Sequence, residues 1–125
     1  MTTNARTSIR TTVDLAELSA AIERRDAAGI LSWYAEDATL TVLDRDHPPA
    51  APASFQGLDA IGAYYRDICG RNIKHQVSDA VGTPNGLAYR QQCAYPDGTG
   101  VICVTVAAVE DGRIRRQTAV QVWDS

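Results

Sequence analysis

The side chain best suited to proton chemistry in this sequence is His75, in Ile73-Lys74-His75-Gln76-Val77. Ile73, Val77 and Val81 share its parity, so on a strand His75 points the same way as apolar residues. An imidazole so placed can give or take a proton near neutral pH, or can serve as a hydrogen-bonded structural histidine. His47, in Asp46-His47-Pro48-Pro49, reads as a solvated loop residue that a folding-over loop could bring to a pocket mouth. Asp44, Asp46 and His47 mix ligand types at close spacing, but no companion cluster completes a coordination shell, so no metal is expected. Cys69, Cys93 and Cys103 are odd in number and lack paired zinc spacings; they read as reduced thiols. Cys93 and Cys103 are expected to face one another across a hairpin, with no basic neighbour to activate either. Trp33, Tyr34, Tyr64, Tyr65 and Trp123 could stack on a ring, and a phenol facing a cavity could polarise a carbonyl, although aromatics at helical spacing are usually core.

The elements that must hold these groups follow from periodicity. Val13, Leu15, Leu18 and Ile22 form one helical stripe, broken at Arg24-Arg25-Asp26. Ile30, Leu31, Trp33 and Tyr34 form a second, which hands directly to the strand formers Thr39-Leu40-Thr41-Val42-Leu43. Asp44 to Gln56 carries Pro48, Pro49 and Pro52, whose fixed φ and missing amide donors make it a loop, with room for a short edge strand at Ser54-Phe55-Gln56. It is either a pocket rim or a rigid surface crossover. A third helix over Leu58 to Gly70 presents Ile61, Tyr64, Tyr65 and Ile68 on one stripe. Strands at Ile73 to Val81, Leu87 to Tyr95, Val101 to Val109 and Ile114 to Trp123 are separated by short Gly-, Pro- and Asp-rich turns, which predicts an antiparallel meander.

This order, with Arg25-Asp26, Gly29-Ile30, Tyr34-Ala35-Glu36-Asp37-Ala38-Thr39 and Gly57 with Ile61 and Tyr65, resembles the nuclear transport factor 2-like superfamily over about residues 13 to 124. That superfamily includes ketosteroid isomerases, scytalone dehydratase and SnoaL-like polyketide cyclases. The resemblance implies an α+β cone of cystatin-like type, with three helices from the N-terminal half packed on a curved, mainly antiparallel sheet and a pocket between them. It also implies that the odd-numbered residues of the last three strands face the helices. Tyr89, Gln91, Thr105, Gln117, Gln121 and Trp123 would then form a mixed aromatic and polar wall, with Tyr34 and Tyr65 contacting the pocket from the second and third helices. The competing reading puts the even face of the last strand in the core and leaves the glutamines solvated.

Aligned through Asp37-Ala38-Thr39, the catalytic base of ketosteroid isomerases falls on Val42, the oxyanion tyrosine on Leu18 and the neutral acid near Thr105, so that apparatus is missing. Asp44 shares the strand parity of Val42 and is the candidate replacement base, its plainer role being a turn residue. His75 is similar in placement to the strand histidine of scytalone dehydratase, but the aspartate paired with it there falls near Ala20. The function implied is a cofactor-independent enzyme of isomerase, dehydratase or cyclase type on a small hydrophobic or polyketide-like molecule, with His75 or Asp44 moving the proton. The alternatives are a non-catalytic binding protein and a homodimeric scaffold, with Val120 and Val122 suited to an interface.

The chain has 125 residues, enough for a single core, expected over residues 13 to 125 behind a flexible tail at 1 to 12. A net charge of −3 gives no electrostatic reason to expect nucleic acid or an anionic membrane. Residues 1 to 12 contain no apolar run of signal-peptide type, and no segment reaches membrane-spanning length, so a cytoplasmic protein is expected.

Overall fold

A computed structural model describes residues 11–124; the expected tail lies, for residues 1–10, outside the described residues. Three helices and six strands follow in the order α1 (Leu15–Glu23), α2 (Ala27–Leu31), β1 (Tyr34–Leu43), β2 (Ala53–Gln56), α3 (Gly57–Cys69), β3 (Lys74–Thr83), β4 (Gly86–Ala94), β5 (Gly100–Glu110) and β6 (Arg113–Trp123). The fold is α+β, with the helices packed on one face of a single six-stranded sheet ordered β2-β1-β6-β5-β4-β3. Every neighbouring pair is antiparallel except β1 and β6, which run parallel.

Local chemistry sets the helix ends. Asp14 caps α1 by accepting from the Glu17 amide at 3.1 Å, and Asp26 caps α2 by accepting from the Gly29 amide at 3.0 Å. Gly29 has to be small, because a Cβ there would lie 2.6 Å from the Asp26 carboxylate. Gly57 turns β2 straight into α3 at φ +83, a conformation that side chains with a Cβ resist.

The second helix is shorter than its apolar spacing predicts, and Tyr34 belongs to β1 rather than to a helix. The cause is tertiary. The Trp33 carbonyl accepts from the Ile114 amide at 2.8 Å, and Tyr34 pairs with Ile114 on β6, so the edge of a distant strand draws the chain out of helix after Ser32. Pairing in β1 is irregular between Tyr34 and Thr39, in β3 between Ser78 and Val81, and where β5 meets β6 at Ala108 and Val109. Such irregularities bend strands, and the sheet curves around the helices.

The odd face of β4, β5 and β6 is the inner one. Tyr89, Thr105, Gln117 and Ala119 are each 5% exposed or less, whereas Val104, Val106, Val120 and Val122 are 42–67% exposed on the outside. Leu18, Leu40, Ile61 and Ile114 are the largest fully buried aliphatic residues among those described.

Candidate functional site

Between the helices and the inner face lies a cavity of about 80 Å³. The helices contribute Ile22, Ile30, Tyr64, Tyr65, Ile68 and Cys69, and the sheet contributes Leu40, His75, Tyr89, Gln91, Cys93, Thr105, Gln117, Gln121 and Trp123 among others. Among the described residues no Asp, Glu, Lys or Arg lies in this wall, and His75 is the one among them that lines it and titrates between pH 5 and 8 in the ordinary way.

His75 is held at one nitrogen and open at the other. The Gln91 amide nitrogen lies 2.9 Å from Nδ1 and the Cys93 sulfur 3.3 Å from it. With the amide donating to Nδ1, the ring proton sits on Nε2, which is buried and, among the described residues, without a hydrogen-bond partner. Burial, then the nearby Arg25 charge, holds the His75 pKa below its ordinary value of 6.5, so the imidazole is neutral at neutral pH.

Deeper in the wall a polar chain crosses from α3 to the sheet. The Tyr65 and Tyr34 oxygens are 2.7 Å apart, and Tyr34 donates to Oε1 of Gln117. Burial raises the pKa of Tyr34, Tyr64 and Tyr65, and pushes Tyr89 up to about 12, so all four phenols stay protonated at neutral pH. At one end of the cavity, Trp123 donates to Gln121 at 3.0 Å, Tyr95 packs against Trp123 with centroids 5.3 Å apart, and the Arg45 guanidinium lies 4.5 Å from the Trp123 ring centre. A second groove of about 550 Å³ runs over the ends of β3 to β6 and shares His75, Cys93, Val101 and Trp123 with the cavity.

Of the residues singled out in the sequence, His75, Tyr65, Tyr89, Gln91, Thr105, Gln117, Gln121 and Trp123 come together on this wall. Tyr34 stands behind it, reaching the cavity through Tyr65 and Gln117. Asp44 lies in the turn after β1, where its carboxylate accepts from the Asp46 amide and contacts His47 Nδ1, both at 2.9 Å. These bonds outweigh partial burial and hold its pKa below the usual carboxylate value, although burial is the largest single influence. Its charge is felt at the Tyr64 phenol.

Two expectations about the cysteines are corrected. Cys93 faces Val101 across the hairpin, and Cys103 faces Gln91. The loop is Pro96-Asp97-Gly98, closed by the Gly98 amide on the Tyr95 carbonyl with Gly98 at φ +91, so Gly100 enters the strand and the register moves by two residues. Cys93 also has a basic neighbour, because β3 pairs His75 with it. Burial nevertheless raises the pKa of Cys69, Cys93 and Cys103, and Gln91 only partly offsets this at Cys93, so the thiols are protonated. The parity of Tyr89 and Gln91 already contained Cys93 and Tyr95 as wall residues; the closeness of His75 to Cys93 needed the register.

Among the described residues no group of three or more His, Cys, Asp or Glu side chains could hold a metal ion, and no helix is long and apolar enough to cross a membrane.

No curated protein matches the chain by sequence. Solved structures do match in fold. An NTF2-like protein of unknown function from Mesorhizobium loti superposes with TM-score 0.75 at 17% identity, covering 86% of this chain and 87% of that one. A proposed ketosteroid isomerase from Kribbella flavida gives 0.72 at 17% identity over 97% and 83%. A loop truncation variant of IdmH gives 0.64 at 20% identity over 86% and 88%. The sequence profile of the SnoaL-like domain matches residues 15–117, most of the chain, and the chain belongs to that family.

Proposed function

We propose that this chain is a cofactor-independent enzyme that moves a proton on a small, largely apolar, oxygen-bearing molecule of polyketide-like kind, by isomerase, dehydratase or cyclase chemistry. The observation that carries the reading is His75, a neutral imidazole whose Nε2 is buried and, among the described residues, unpartnered, in a wall to which those residues bring no fixed charge. A desolvated imidazole of lowered pKa is a proton acceptor and, in its Nε2–H form, a hydrogen-bond donor to a carbonyl. Gln91 supports either tautomer, since its amide presents a donor or, after rotation, an acceptor to Nδ1. Tyr65, Tyr89, Gln91, Thr105, Gln117, Gln121 and Trp123 provide flat apolar contact with a few polar atoms, as a ring bearing oxygens requires. In this reading Asp44 braces the turn after β1, because both of its hydrogen bonds belong to that turn. Three free cysteines suit a reducing compartment, and the cytoplasm is the proposed location.

The test is hydrogen–deuterium exchange at the α-carbons of a panel of cyclic and aromatic ketones, followed by NMR in deuterium oxide. Wild-type protein accelerates exchange of the ketones it accepts, His75→Gln loses about 10²–10⁴-fold of that acceleration, and Asp44→Asn stays within a few-fold. Exchange that persists in His75→Gln ends the assignment. A second feature, the exposed valines of the outer sheet face, supports a homodimer formed across that face.

A further inference from the structure

A glutamine shows a ligand either a donor or an acceptor, and which one depends on how its amide is turned. Among the described residues, the cavity wall carries Gln91, Gln117 and Gln121. Gln91 is held by His75, whose Nδ1 accepts in one tautomer and donates in the other, so its amide fits either way round. Gln117 is held by the Tyr34 hydroxyl, a group that likewise can do both. Gln121 differs. Its partner is the Trp123 indole N–H at 3.0 Å, which donates and cannot accept, so the amide oxygen must face Trp123 and the amide nitrogen must face away. Trp123 is itself braced, by the Tyr95 ring at 5.3 Å between centroids and by the Arg45 guanidinium at 4.5 Å, so the turn of the amide is set in advance. Register gives the nitrogen its surroundings. Gln121 lies opposite Cys103 on β5, and Ala119, the next inward residue of β6, brings only a methyl group. Among the described residues nothing accepts from the Gln121 nitrogen, and the atom is not enclosed, so its N–H bonds open on the cavity that Gln121 lines. His75 stands on β3, three strand spacings from β6, roughly 14 Å between backbones.

We propose that Gln121 is the specificity-determining donor for a second oxygen of the ligand, a carbonyl oxygen at the end of the molecule remote from the carbon where His75 moves a proton. The proposal rests on the cavity being the site of that proton transfer, and it narrows the substrate class to molecules with an oxygen function at each end of an apolar body. The discrimination comes from what a wrong ligand leaves behind. An apolar group laid against Gln121 strips water from the amide protons and gives them no acceptor, and the amide cannot turn to hide them without breaking its bond from Trp123. A carbonyl oxygen completes the amide and leaves that bond intact.

The experiment compares 1,4-diacetylbenzene, which carries a carbonyl at each end, with 4-isopropylacetophenone, in which an isopropyl group of similar size replaces one acetyl. Affinities come from calorimetry. The side-chain amide protons of Gln121, assigned by their loss in Gln121→Met, read the hydrogen bond directly by NMR in the wild-type protein. Wild type prefers 1,4-diacetylbenzene by about five- to tenfold, the worth of one hydrogen bond, and the Gln121 amide protons move downfield with that probe and not with the other. The Trp123 indole proton stays in place with both, because its bond is kept. Gln121→Met removes the preference and leaves affinity for 4-isopropylacetophenone within about twofold, whereas a purely structural role would weaken both probes alike. A downfield shift at the Gln91 or Gln117 amide, or at the Trp123 indole proton, with none at Gln121 overturns the proposal in favour of that donor. Equal affinity of wild type for the two probes overturns Gln121 and leaves the cavity standing as a ligand site. Binding of neither probe overturns the site and Gln121 together. The role of His75 fails on a separate result, ketone exchange that persists in His75→Gln.

Discussion

At the scale of single residues, the chemistry of this chain is a matter of which polar atoms were left open. His75 Nδ1 is taken by Gln91 and Cys93, and Nε2 is buried without a partner, which costs stability unless something with a lone pair or a proton completes it. A predicted pH dependence follows. Burial lowers the His75 pKa, so the neutral form that can accept a proton persists below pH 6.5 and is lost as pH falls through the depressed value. The rate of ketone exchange should therefore be flat through neutrality and decline on the acid side only below 6.5; a decline centred above 6.5 would assign the limb to another group. Stability has the same sign. A histidine held neutral in the fold opposes protonation, so its contribution is complete above the unfolded pKa and lost on acidification. Cys93, in contact with the ring, and Arg25, whose charge acts on it, both leave this direction intact, since a protonated thiol carries no charge and the guanidinium disfavours the imidazolium.

At the scale of elements, the site depends on a few joints that hold the helices over the sheet. The β2 to α3 joint at Gly57 and the α3 residue Ile61, which is 0% exposed, set the distance between Tyr65 and the inner face. Ile61→Ala should cost about 2–5 kcal/mol in urea unfolding, as expected for a truncated core aliphatic. Gly57→Ala should cost about 1–2 kcal/mol from backbone strain alone, because the nearest atom its Cβ would meet is a carbonyl oxygen at 3.7 Å. A cost under ~0.5 kcal/mol for Gly57→Ala would show that the joint relaxes. Elements were also the level at which the sequence was most legible. Alternation in β4, β5 and β6 put Tyr89, Gln91, Thr105, Gln117, Gln121 and Trp123 on one face, because strand geometry allows a side chain only two directions. The helical spacing of Ile30, Leu31, Trp33 and Tyr34 misled, since four residues in a span of five fit a helix turn as well as a turn into strand, and the choice lay with Ile114 some eighty residues away. Register was hidden for a related reason. Moving the β4–β5 pairing by two residues preserves every face and changes every opposite partner, so the face of Cys93 was readable and its neighbour was not.

At the scale of the whole molecule, the sheet has one face filled by helices and another left apolar. On the outer face Val104 pairs with Val120 and Ile102 with Val122 on adjacent strands, and Val120 neighbours Leu43 on β1, so these side chains form one continuous patch rather than scattered exposures. Val122 is 67% exposed and Val106 55%, whereas no valine of the inner face on these strands approaches such values. A patch of this kind is best covered by a second copy of itself: a two-fold contact brings identical valines together, needs no separately evolved partner, and becomes stable once each protomer buries about 800 Å². At the margin of the patch Arg90 is paired with Asp79 at 3.2 Å. Sedimentation at micromolar concentration should give a dimer for the wild type. Val104→Lys combined with Val120→Lys should give a monomer with unchanged near-ultraviolet circular dichroism, since both positions point away from the core. A wild-type monomer at that concentration would remove the dimer. A dimer that survives both lysines would move the interface off the sheet. The cavity lies on the opposite face of the same strands, and the groove lined by Ile102 and Val122 of the patch meets it at His75 and Trp123. Ketone exchange per protomer should stay within about twofold between monomer and dimer, because His75 and the wall residues lie on the inner face; a larger change would show that covering Ile102 and Val122 reaches the cavity through that groove.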